Sequence, residues 1–595
     1  MQSKAFVCAA MMLLLTLALT ARTRAQDVRV QPHRYHHYQL IDVGTFGGPQ
    51  SFQSLGGLGV GVLNDAGAFG GWADTSAIDP LCFFDVPDCY TAHAFIWQYG
   101  AKTDLDVLSG GLNSQVNWIS ANGLMTGTAD NGQFDPLIGI PQIHGTFWGH
   151  DGSITDIGTL PGAYFANPFA VNNRGEVVGA AANTIPNTNS MFGIGYQTRA
   201  LYWKDGVMQD LGTLGDGTDA IAGLINERGQ VAGWSYINSV PSPDCSGIGG
   251  PVLTTDSFLW DKKNGMRDIG GLGGTCTLAS ALTNRGQIIG GSSLTGDTTI
   301  HPFVWDATNG VTDLLDPSDS SYGFAQGINS RGEVAGGTCD AVTCYAVLWR
   351  KSGGKWHKTN LSTISQNAFS ISINASEQVL GNFGTGVFLS ENGGAMVDLS
   401  TLISSNSGLQ LNEAGQINDR GEISLNARDA NGNNHAVLLI PCDENHPDVE
   451  GCDYDTIDAE TPTARFSPTP VIQRRTTLSS RGRASGMFNR FRSPGVRLTP
   501  IVGTPMPDAR QALPDTATDY LQADHSIGPA RGRGGYCVAN SSGLTGGCVG
   551  YSYMNFCSVK RSTACPKGLK AIKPGYYQCA LMQRDFVDLG RSCSY

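Results

Sequence analysis

The sequence predicts an all-β protein, a β-propeller of eight four-stranded blades, with seven as the alternative count. A motif that reads VNNRGEVVG at Val171 to Gly179 has relatives down the chain, LINERGQVAG, LTNRGQIIGG, INSRGEVAGG and INDRGEIS, which recur every 44 to 57 residues. Several short strands within a period near 50 indicate a propeller rather than a helical solenoid. Glycine is abundant, at 78 of 595 residues, and charged residues make up only 15%. Both values suit thin β-sheets that are buried on both faces.

The recurring motif predicts a tight β-hairpin. An apolar residue is followed by Asn, two variable residues and Gly. Asn can bond its own backbone, and Gly accepts the positive φ of a short turn. The strand after the turn, as in Glu176 to Gly179, is short and β-branched, which favours a strand.

Each unit between Tyr38 and Pro441 offers four strand-like pieces, A, B, C and D in chain order. B and C form the hairpin. Piece A carries a recurrent aspartate, and piece D a recurrent tryptophan and often a histidine. These residues are Asp42, Asp156, Asp210, Asp268, Asp313 and Asp398 in A, and His93, His144, His301, His435, Trp97, Trp148, Trp203, Trp260, Trp305 and Trp349 in D. We interpret them as hydrogen-bonding and packing residues, and a ring of aspartates around a cation is the alternative.

The D piece HAFIW at His93 to Trp97, the I-N-x-x-G hairpin and the glycine-rich D-L-G-T-L-G link together resemble the extracellular HAF repeat proteins. The resemblance covers roughly 400 residues. It implies an exported, propeller-like repeat protein and no particular catalytic residues. The glycine-rich link fades after the fifth unit, and Glu377 stands where the seventh unit should have Gly.

Connection lengths predict how the pieces pair. B to C and D to A are tight, whereas A to B runs through the glycine-rich link, so the blade boundary should lie there. Each blade is then B, C, D, A from the axis outward. The first A piece, Tyr38 to Val43, has no blade of its own at the N-terminus. We therefore expect it to complete the last blade beside His435 to Ile440 and to close the ring.

Composition divides the chain into four predicted regions. Residues 1–25 have the layout of a secretory signal peptide, with Lys4, an apolar run and Thr23-Arg24-Ala25. Residues 38–441 hold the repeats, 442–534 a flexible linker rich in Pro and Arg, and 535–595 a cysteine-rich module. Residues 465–533 carry a net charge of +7 and 537–595 a net charge of +5, although the whole chain carries −12.

Removal of Cys8 with the signal peptide leaves 14 cysteines, as an exported disulfide protein would have. Strand parity places the C-to-D loops and A-to-B links on one face, so Cys245 should reach Cys276, while Cys82 with Cys89 and Cys339 with Cys344 should staple single loops. Cys442 and Cys452 bracket a small acidic loop. The last six cysteines contain no C-x-x-C, so we expect three bridges of unknown connectivity and no zinc. They are Cys537, Cys548, Cys557, Cys565, Cys579 and Cys593.

The C-to-D loops predict where a ligand binds. They are long in units 1–4, at 73–92, 129–143, 180–197 and 235–255, and short in units 5–8. Only the first half can build a walled site. Its candidate ligand-binding residues are Trp72, Asp74, Phe83, Phe84, Asp85, Asp130, Phe134, Tyr196, Trp234 and Tyr236. Aromatic rings there would stack on sugar or apolar peptide, and acids would orient hydroxyls; packing between loops is the alternative for each ring.

No G-x-S-x-G, H-E-x-x-H, Walker or haem motif occurs in the sequence, so catalytic residues are not predicted. The sequence favours a non-catalytic binding or cell-surface interaction protein, secreted or extracytoplasmic, for an extracellular glycan, peptide or polymer. The alternative is a propeller hydrolase or lyase that acts on extracellular polysaccharide. We expect a monomer without metal, cofactor, nucleic-acid partner or transmembrane segment in the mature chain.

Overall fold

The structure, a computed structural model, describes residues 34–53, 61–82, 89–136, 139–242, 245, 252–365, 367–404, 407–447 and 449–458. It also describes the backbone of four short strands between residues 534 and 582. The predicted signal peptide and nearly all of the predicted linker lie outside these residues.

Thirty-two strands form eight four-stranded blades, as predicted. The first four blades are β3 (Gly47–Phe52), β4 (Phe69–Ile78), β5 (Tyr90–Gln98), β6 (Ala101–Asp104); β7 (Ser114–Ile119), β8 (Met125–Phe134), β9 (Pro141–Trp148), β10 (Ile154–Gly158); β11 (Ala166–Val171), β12 (Val177–Pro186), β13 (Tyr196–Lys204), β14 (Val207–Asp210); and β15 (Ala220–Ile225), β16 (Val231–Ser242), β17 (Val252–Asp261), β18 (Gly265–Asp268).

The second four blades are β19 (Gly273–Leu282), β20 (Ile288–Leu294), β21 (Ile300–Asp306), β22 (Gly310–Asp313); β23 (Tyr322–Ile328), β24 (Val334–Cys339), β25 (Cys344–Ser352), β26 (Lys355–Asn360); β27 (Ala368–Ile373), β28 (Gln378–Phe383), β29 (Gly386–Glu391), β30 (Val397–Asp398); and β31 (Gln410–Ile417), β32 (Ile423–Arg428), β33 (Asn434–Pro441) with β2 (Tyr38–Asp42). A single parallel bridge between Thr255 and Cys276 links blades 4 and 5 into one sheet.

The strand order within a blade is B, C, D, A, as predicted. The B strands of neighbouring blades, such as β23 and β27, contact one another around the axis. The A strands are the most exposed; β14 has one half-buried and three exposed residues. Apolar clusters fill the space between successive blades. The core is therefore a ring of inter-blade layers rather than one central mass.

The N-terminal strand closes the ring, which confirms the prediction. β2 pairs antiparallel with β33 in five-residue register, from Tyr38 with Pro441 to Asp42 with Val437. Just before it, β1 (Arg34–His36) pairs with β34 (Thr456–Asp458), so both ends of the propeller chain meet at blade 8. The closed ring leaves no unpaired edge between the first and last blades.

In seven of the eight blades the recurrent B and C strands require glycine at one point, and in blade 8 Leu425 stands there. The B strand bulges, as between Ala279 and Ala281, and the neighbouring C strand has Gly290 there. A Cβ on Gly290 would lie 1.9 Å from the carbonyl oxygen of Leu278, and one on Gly233 would lie 1.9 Å from that of Ile221. Glycine in the V-x-G motif therefore admits the close backbone approach of the bulge.

The recurrent His and Asp form side-chain pairs between the D and A strands; the sequence predicted hydrogen-bonded structural residues but not that they bond one another. Nδ1 of His93 lies 2.9 Å from Asp104, that of His144 2.9 Å from Asp156, and that of His301 2.8 Å from Asp313. Nδ1 of His435 lies 2.8 Å from Asp42, and in blade 3 Arg199 takes the histidine position and donates to Asp210 at 2.8 Å. Each aspartate also accepts from the backbone N two residues on, as Asp156 does from Gly158. The aspartate therefore fixes both the outer strand and its exit.

Four disulfides join the cysteine pairs that the sequence predicts. Cys82 bonds Cys89, Cys245 bonds Cys276, Cys339 bonds Cys344 and Cys442 bonds Cys452. The Cys245–Cys276 bridge joins blade 4 to blade 5, which confirms that the C-to-D loops and A-to-B links share a face. In the C-terminal region the strands β35 (Gly534–Ala539), β36 (Cys548–Tyr551), β37 (Met554–Cys557) and β38 (Tyr577–Met582) form one sheet. The predicted bridges among its six cysteines lie outside what the structure describes.

Candidate functional site

The two faces of the propeller differ. The turn face carries the B-to-C and D-to-A turns, and the ribbon face carries the C-to-D connections and the A-to-B links. On the ribbon face the C strands of blades 1–4 are 10, 10, 10 and 12 residues long, whereas those of blades 5–8 have 7, 6, 6 and 6. The longer strands continue past the blade as four two-stranded ribbons.

The ribbons correct the predicted loop boundaries. Much of each predicted loop is strand, because pairing resumes after a register shift. Ile78 pairs with Tyr90, Phe134 with Pro141, Pro186 with Tyr196 and Pro241 with Leu253. Paired strand therefore extends each wall beyond the blade, which makes this part of the walls more rigid than a loop would be.

Each ribbon exposes a large apolar side chain near its tip. The exposed fractions are 60% for Ile78, 49% for Phe134, 53% for Ile185 and 57% for Val240. Leu81 and Leu112 are also exposed on this face, beside the ribbon of blade 1 and in the link between blades 1 and 2. Exposed apolar side chains clustered on one face are typical of an interaction surface.

A cleft opens between the ribbons of blades 2 and 3. It encloses about 350 Å³, including open solvent, and its walls include Asp135, Tyr164, Phe165, Ile194 and Tyr196. Burial raises the pKa of the Tyr196 hydroxyl, and the Asp135 carboxylate and Tyr164 raise it further. Two tyrosine hydroxyls and a carboxylate above an apolar floor can both bury an apolar group and accept or donate hydrogen bonds at its edge.

Buried aspartates anchor the ribbon bases to the neighbouring links. Asp130 accepts from the backbone N of Leu112 and of Asn113, the latter at 2.8 Å. Asp74 accepts from Gln50 N at 2.9 Å, and Asp219 accepts from Thr198 N at 2.7 Å. Burial raises the pKa of Asp130 and of Asp219, against the lowering effect of these hydrogen bonds. The ribbons therefore stand on a base whose polar groups are bonded internally.

The structure divides the ten predicted ligand-binding residues into three groups. Trp72, Asp74, Asp130, Trp234 and Tyr236 are buried. Phe83, Phe84 and Asp85 lie outside the described residues. Phe134 and Tyr196 reach the surface of the ribbon face, and they remain candidates for ligand contact.

The buried aromatics have packing partners that explain their positions. Trp234 Nε1 donates to Ala279 O at 2.9 Å across the boundary between blades 4 and 5. Trp72 stacks on Phe52, with ring centroids 5.6 Å apart. Tyr236 lies in the same cluster as Trp234, and burial raises its pKa. These rings follow the packing alternative raised from the sequence.

Sequence reasoning missed the apolar tips Ile78, Ile185 and Val240. A signal for them exists. An apolar residue stands seven residues after the bulge glycine in units 1, 2 and 4, as Val240 does after Gly233, and six residues after it in unit 3. Attention to aromatic residues alone passed over this aliphatic repeat.

The described residues contain no group of three or more His, Cys, Asp or Glu side chains that could hold a metal ion. No helix in the same part of the chain has the length and hydropathy to span a membrane.

No protein-family model and no curated protein sequence matches this chain. Solved structures resemble it in fold. The β-propeller domain of the Trilobed protease from Pyrococcus furiosus is 11% identical, with 61% of this chain and 95% of that chain covered and a TM-score of 0.33. Dipeptidyl peptidase 4 of Porphyromonas gingivalis is 9% identical, with coverage of 64% and 60% and a TM-score of 0.37. TolB of Acinetobacter baumannii is 12% identical, with coverage of 49% and 63% and a TM-score of 0.25. The β-propeller is shown by the strand pairing of this chain itself, and likeness at these identities and TM-scores adds nothing to it.

Proposed function

We propose that this protein is an exported, non-catalytic binding protein of the HAF repeat type, which holds an extended polypeptide on its ribbon face. The observation that carries the proposal is the row of exposed apolar tips on four successive ribbons, Ile78, Phe134, Ile185 and Val240. Export is supported by four disulfides, which persist in oxidising compartments.

The chemistry of the tips favours peptide over glycan. Sugar rings stack on flat aromatic faces, whereas three of the four tips are aliphatic. Branched aliphatic groups instead pack against other apolar side chains. The cleft beside Tyr196 also has an apolar floor, against which an apolar side chain can pack.

The charge of the face favours a basic ligand. The described parts of its ribbons and links over blades 1–4 are 74–82, 89–92, 105–113, 130–136, 139–143, 159–168, 180–198, 211–222, 235–242 and 252–256. Together they contain eight aspartates and neither lysine nor arginine, and Arg199, which follows one of them, is paired with Asp210. Several of these carboxylates are buried and bonded, but Asp106 and Asp216 are exposed. A face with one sign of charge attracts ligands of the opposite sign.

The test is a binding panel on the full secreted chain. Fluorescent peptides of equal length would be apolar and basic, apolar and acidic, or polar and basic, and a neutral hexasaccharide would stand beside them. The proposal predicts that the apolar, basic peptide binds at least about tenfold more tightly than the others. Equal affinities for all three peptides, preference for the saccharide, or cleavage of any of them would overturn it.

A further inference from the structure

The exposed ribbon tips need an occupant, and this chain contains one whose chemistry fits. We propose that residues 465–507 of the same chain dock on the ribbon face, where they compete with any other ligand for the exposed tips. This inference rests on the proposed function, because it assigns a built-in competitor to the same surface.

The charge of the segment complements the face. Residues 465–507 contain eight arginines and no aspartate, glutamate or lysine. The described ribbons and links of the face carry eight aspartates and no lysine or arginine. Opposite charges of this density attract at low salt and are screened as salt rises.

The apolar content of the segment also fits. Around its arginines stand Met487, Phe488 and Phe491, in the order M-F-N-R-F-R at 487–492. The ribbon tips offer Phe134 and Ile185, about half exposed, on either side of the cleft that Tyr196 lines. Aromatic side chains on one partner and aliphatic tips on the other can bury each other, and guanidinium groups can face the surrounding carboxylates.

The covalent connection makes such contact favourable. The last described residue before the segment is Asp458, whose strand pairs with β1 next to blade 8, the ring neighbour of blade 1. About 30 further residues can extend to roughly 100 Å, which is enough to reach any part of the ribbon face. A tethered segment acts at an effective concentration on the order of millimolar, so even weak intrinsic affinity leaves the face mostly covered.

The first test is photo-crosslinking within the full chain. Phe134 would be replaced by the photoreactive benzoylphenylalanine, and the crosslinked peptides identified by mass spectrometry. The matched control is the same replacement at Tyr99, an aromatic residue that is 87% exposed in a D-to-A turn of the opposite face. We expect the Phe134 position to crosslink to residues 465–507 in the same molecule, and the Tyr99 position not to do so. Crosslinks from Phe134 to other regions only, to a second copy only, or to nothing would overturn the inference.

The second test separates the inference from the proposed function. Arg490→Gln, Arg492→Gln and Arg497→Gln together should cut the crosslink yield several-fold and raise affinity for a synthetic peptide of residues 485–497 at least about fivefold. Lys567→Gln, Lys570→Gln and Lys573→Gln remove the same charge from the C-terminal region and should do neither. Suppose that the arginine variant and the unaltered chain bind the peptide equally, and that serine at the ribbon tips abolishes peptide binding in each of them. The binding function then stands, and the docking of residues 465–507 on the face is wrong.

Discussion

A single side-chain pair fixes the outermost strand of five blades, and blade 4 departs from it. The His or Arg of the D strand bonds the Asp of the A strand in blades 1, 2, 3, 5 and 8. In blade 4 the equivalent residue is Asp256, which faces another carboxylate, Asp268. Burial, and then Asp268, raise the pKa of Asp256 to about 6. Two carboxylates therefore stand where five other blades have an attractive pair.

Asp256→His should stabilise the protein. The imidazole would restore the pair with Asp268, and we expect a gain of about 1 kcal/mol in the free energy of unfolding near pH 7. Thermal unfolding of Asp256→His, compared with that of Asp256→Asn, measures this gain in stability. Asn removes the repulsion between the two carboxylates without adding a partner for Asp268. A melting temperature for Asp256→His no higher than that of Asp256→Asn would contradict the assignment.

The same pair gives the stability a pH dependence. The pKa of Asp256 is higher in the folded chain than the unfolded value of about 4, so the folded state holds the proton more tightly. Its contribution to stability is full below about pH 4 and is lost as the pH rises through about 6. Urea unfolding should therefore show that the free energy of unfolding falls less between pH 4 and 7 in Asp256→Asn than in the unaltered chain. Equal pH profiles would show that Asp256 is not the titrating group.

For single residues, the sequence predicted structural roles more successfully than it predicted which side chains lie in contact. The repeated phase of His301 and Asp313 predicts hydrogen-bonded structural residues, and the structure shows them bonded to each other. The need for Gly290 was not predicted, because a bulge depends on two paired backbones and leaves no signal in the composition of either strand. The sequence predicts Trp234 and Tyr236 as candidate ligand contacts with packing as the alternative, because their position in a connection is visible in the sequence and their inter-blade partners are not.

Among the elements, the B-to-C hairpins form a hydrogen-bonded belt around the axis. The asparagine of one hairpin donates through Nδ2 to the carbonyl of the equivalent residue in the next, as Asn172 does to Asn226 O at 3.1 Å and Asn374 to Asn418 O at 2.9 Å. Asn418 donates to Asn64 O at 2.9 Å, which joins blade 8 to blade 1. Six of the eight hairpins have this asparagine, whereas Ser120 and Thr283 stand at its position in blades 2 and 5. The Oδ1 atom of each asparagine meanwhile accepts from its own turn, so Asn suits both tasks.

Asn418→Ala should weaken ring closure. It removes the bond to Asn64 and those that Oδ1 accepts from Arg420 N and Glu422 N, which leaves buried groups unsatisfied. We expect a loss of roughly 2 kcal/mol in the free energy of unfolding. The control is Asn264→Ala, which breaks side-chain bonds to Asp261 in an exposed turn and should change stability by less than about 0.5 kcal/mol. Similar losses in the two variants would contradict the claim that the asparagine bonds between hairpins stabilise the closed ring.

The hairpins and blade order could be predicted because turn chemistry and connection length are local. The ribbons could not, since residues such as Thr75 to Ile78 look like loop in isolation and become strand only through their partner. That partner, Tyr90 opposite Ile78, follows a register shift that no period-2 pattern reveals.

At the scale of the whole molecule, the two chain ends close the ring. Residues before β2 and after β33 meet at blade 8, and the Cys442–Cys452 disulfide lies just past the closing strand. His446 is buried there between Glu422 and Asp443, with Nδ1 2.8 Å from the Asp443 carboxylate. The fold class and closure followed from the sequence because the unmatched first A piece required a partner.

Deletion of residues 26–45 should destabilise the propeller markedly. It removes β2, exposes the edge of β33 and leaves His435 without Asp42. We expect a fall of at least about 5 °C in melting temperature and increased self-association through the free edge. Differential scanning calorimetry and light scattering would measure both. An unchanged melting temperature would show that blade 8 is stable with three strands.

The measurement that tests the binding face most directly is the affinity of an apolar, basic peptide for two surface variants of the full chain. In the first, Ile78, Phe134, Ile185 and Val240 are each changed to Ser; in the second, Tyr99 and Val207, which are exposed on the turn face, are changed to Ser. All six side chains are largely solvent-accessible, so both variants should keep the melting temperature. We predict that the ribbon variant binds at least about tenfold more weakly while the turn-face variant binds as the unaltered chain does. Unchanged affinity in the ribbon variant, or an equal loss in both, would contradict the assignment of the ribbon face as the binding surface.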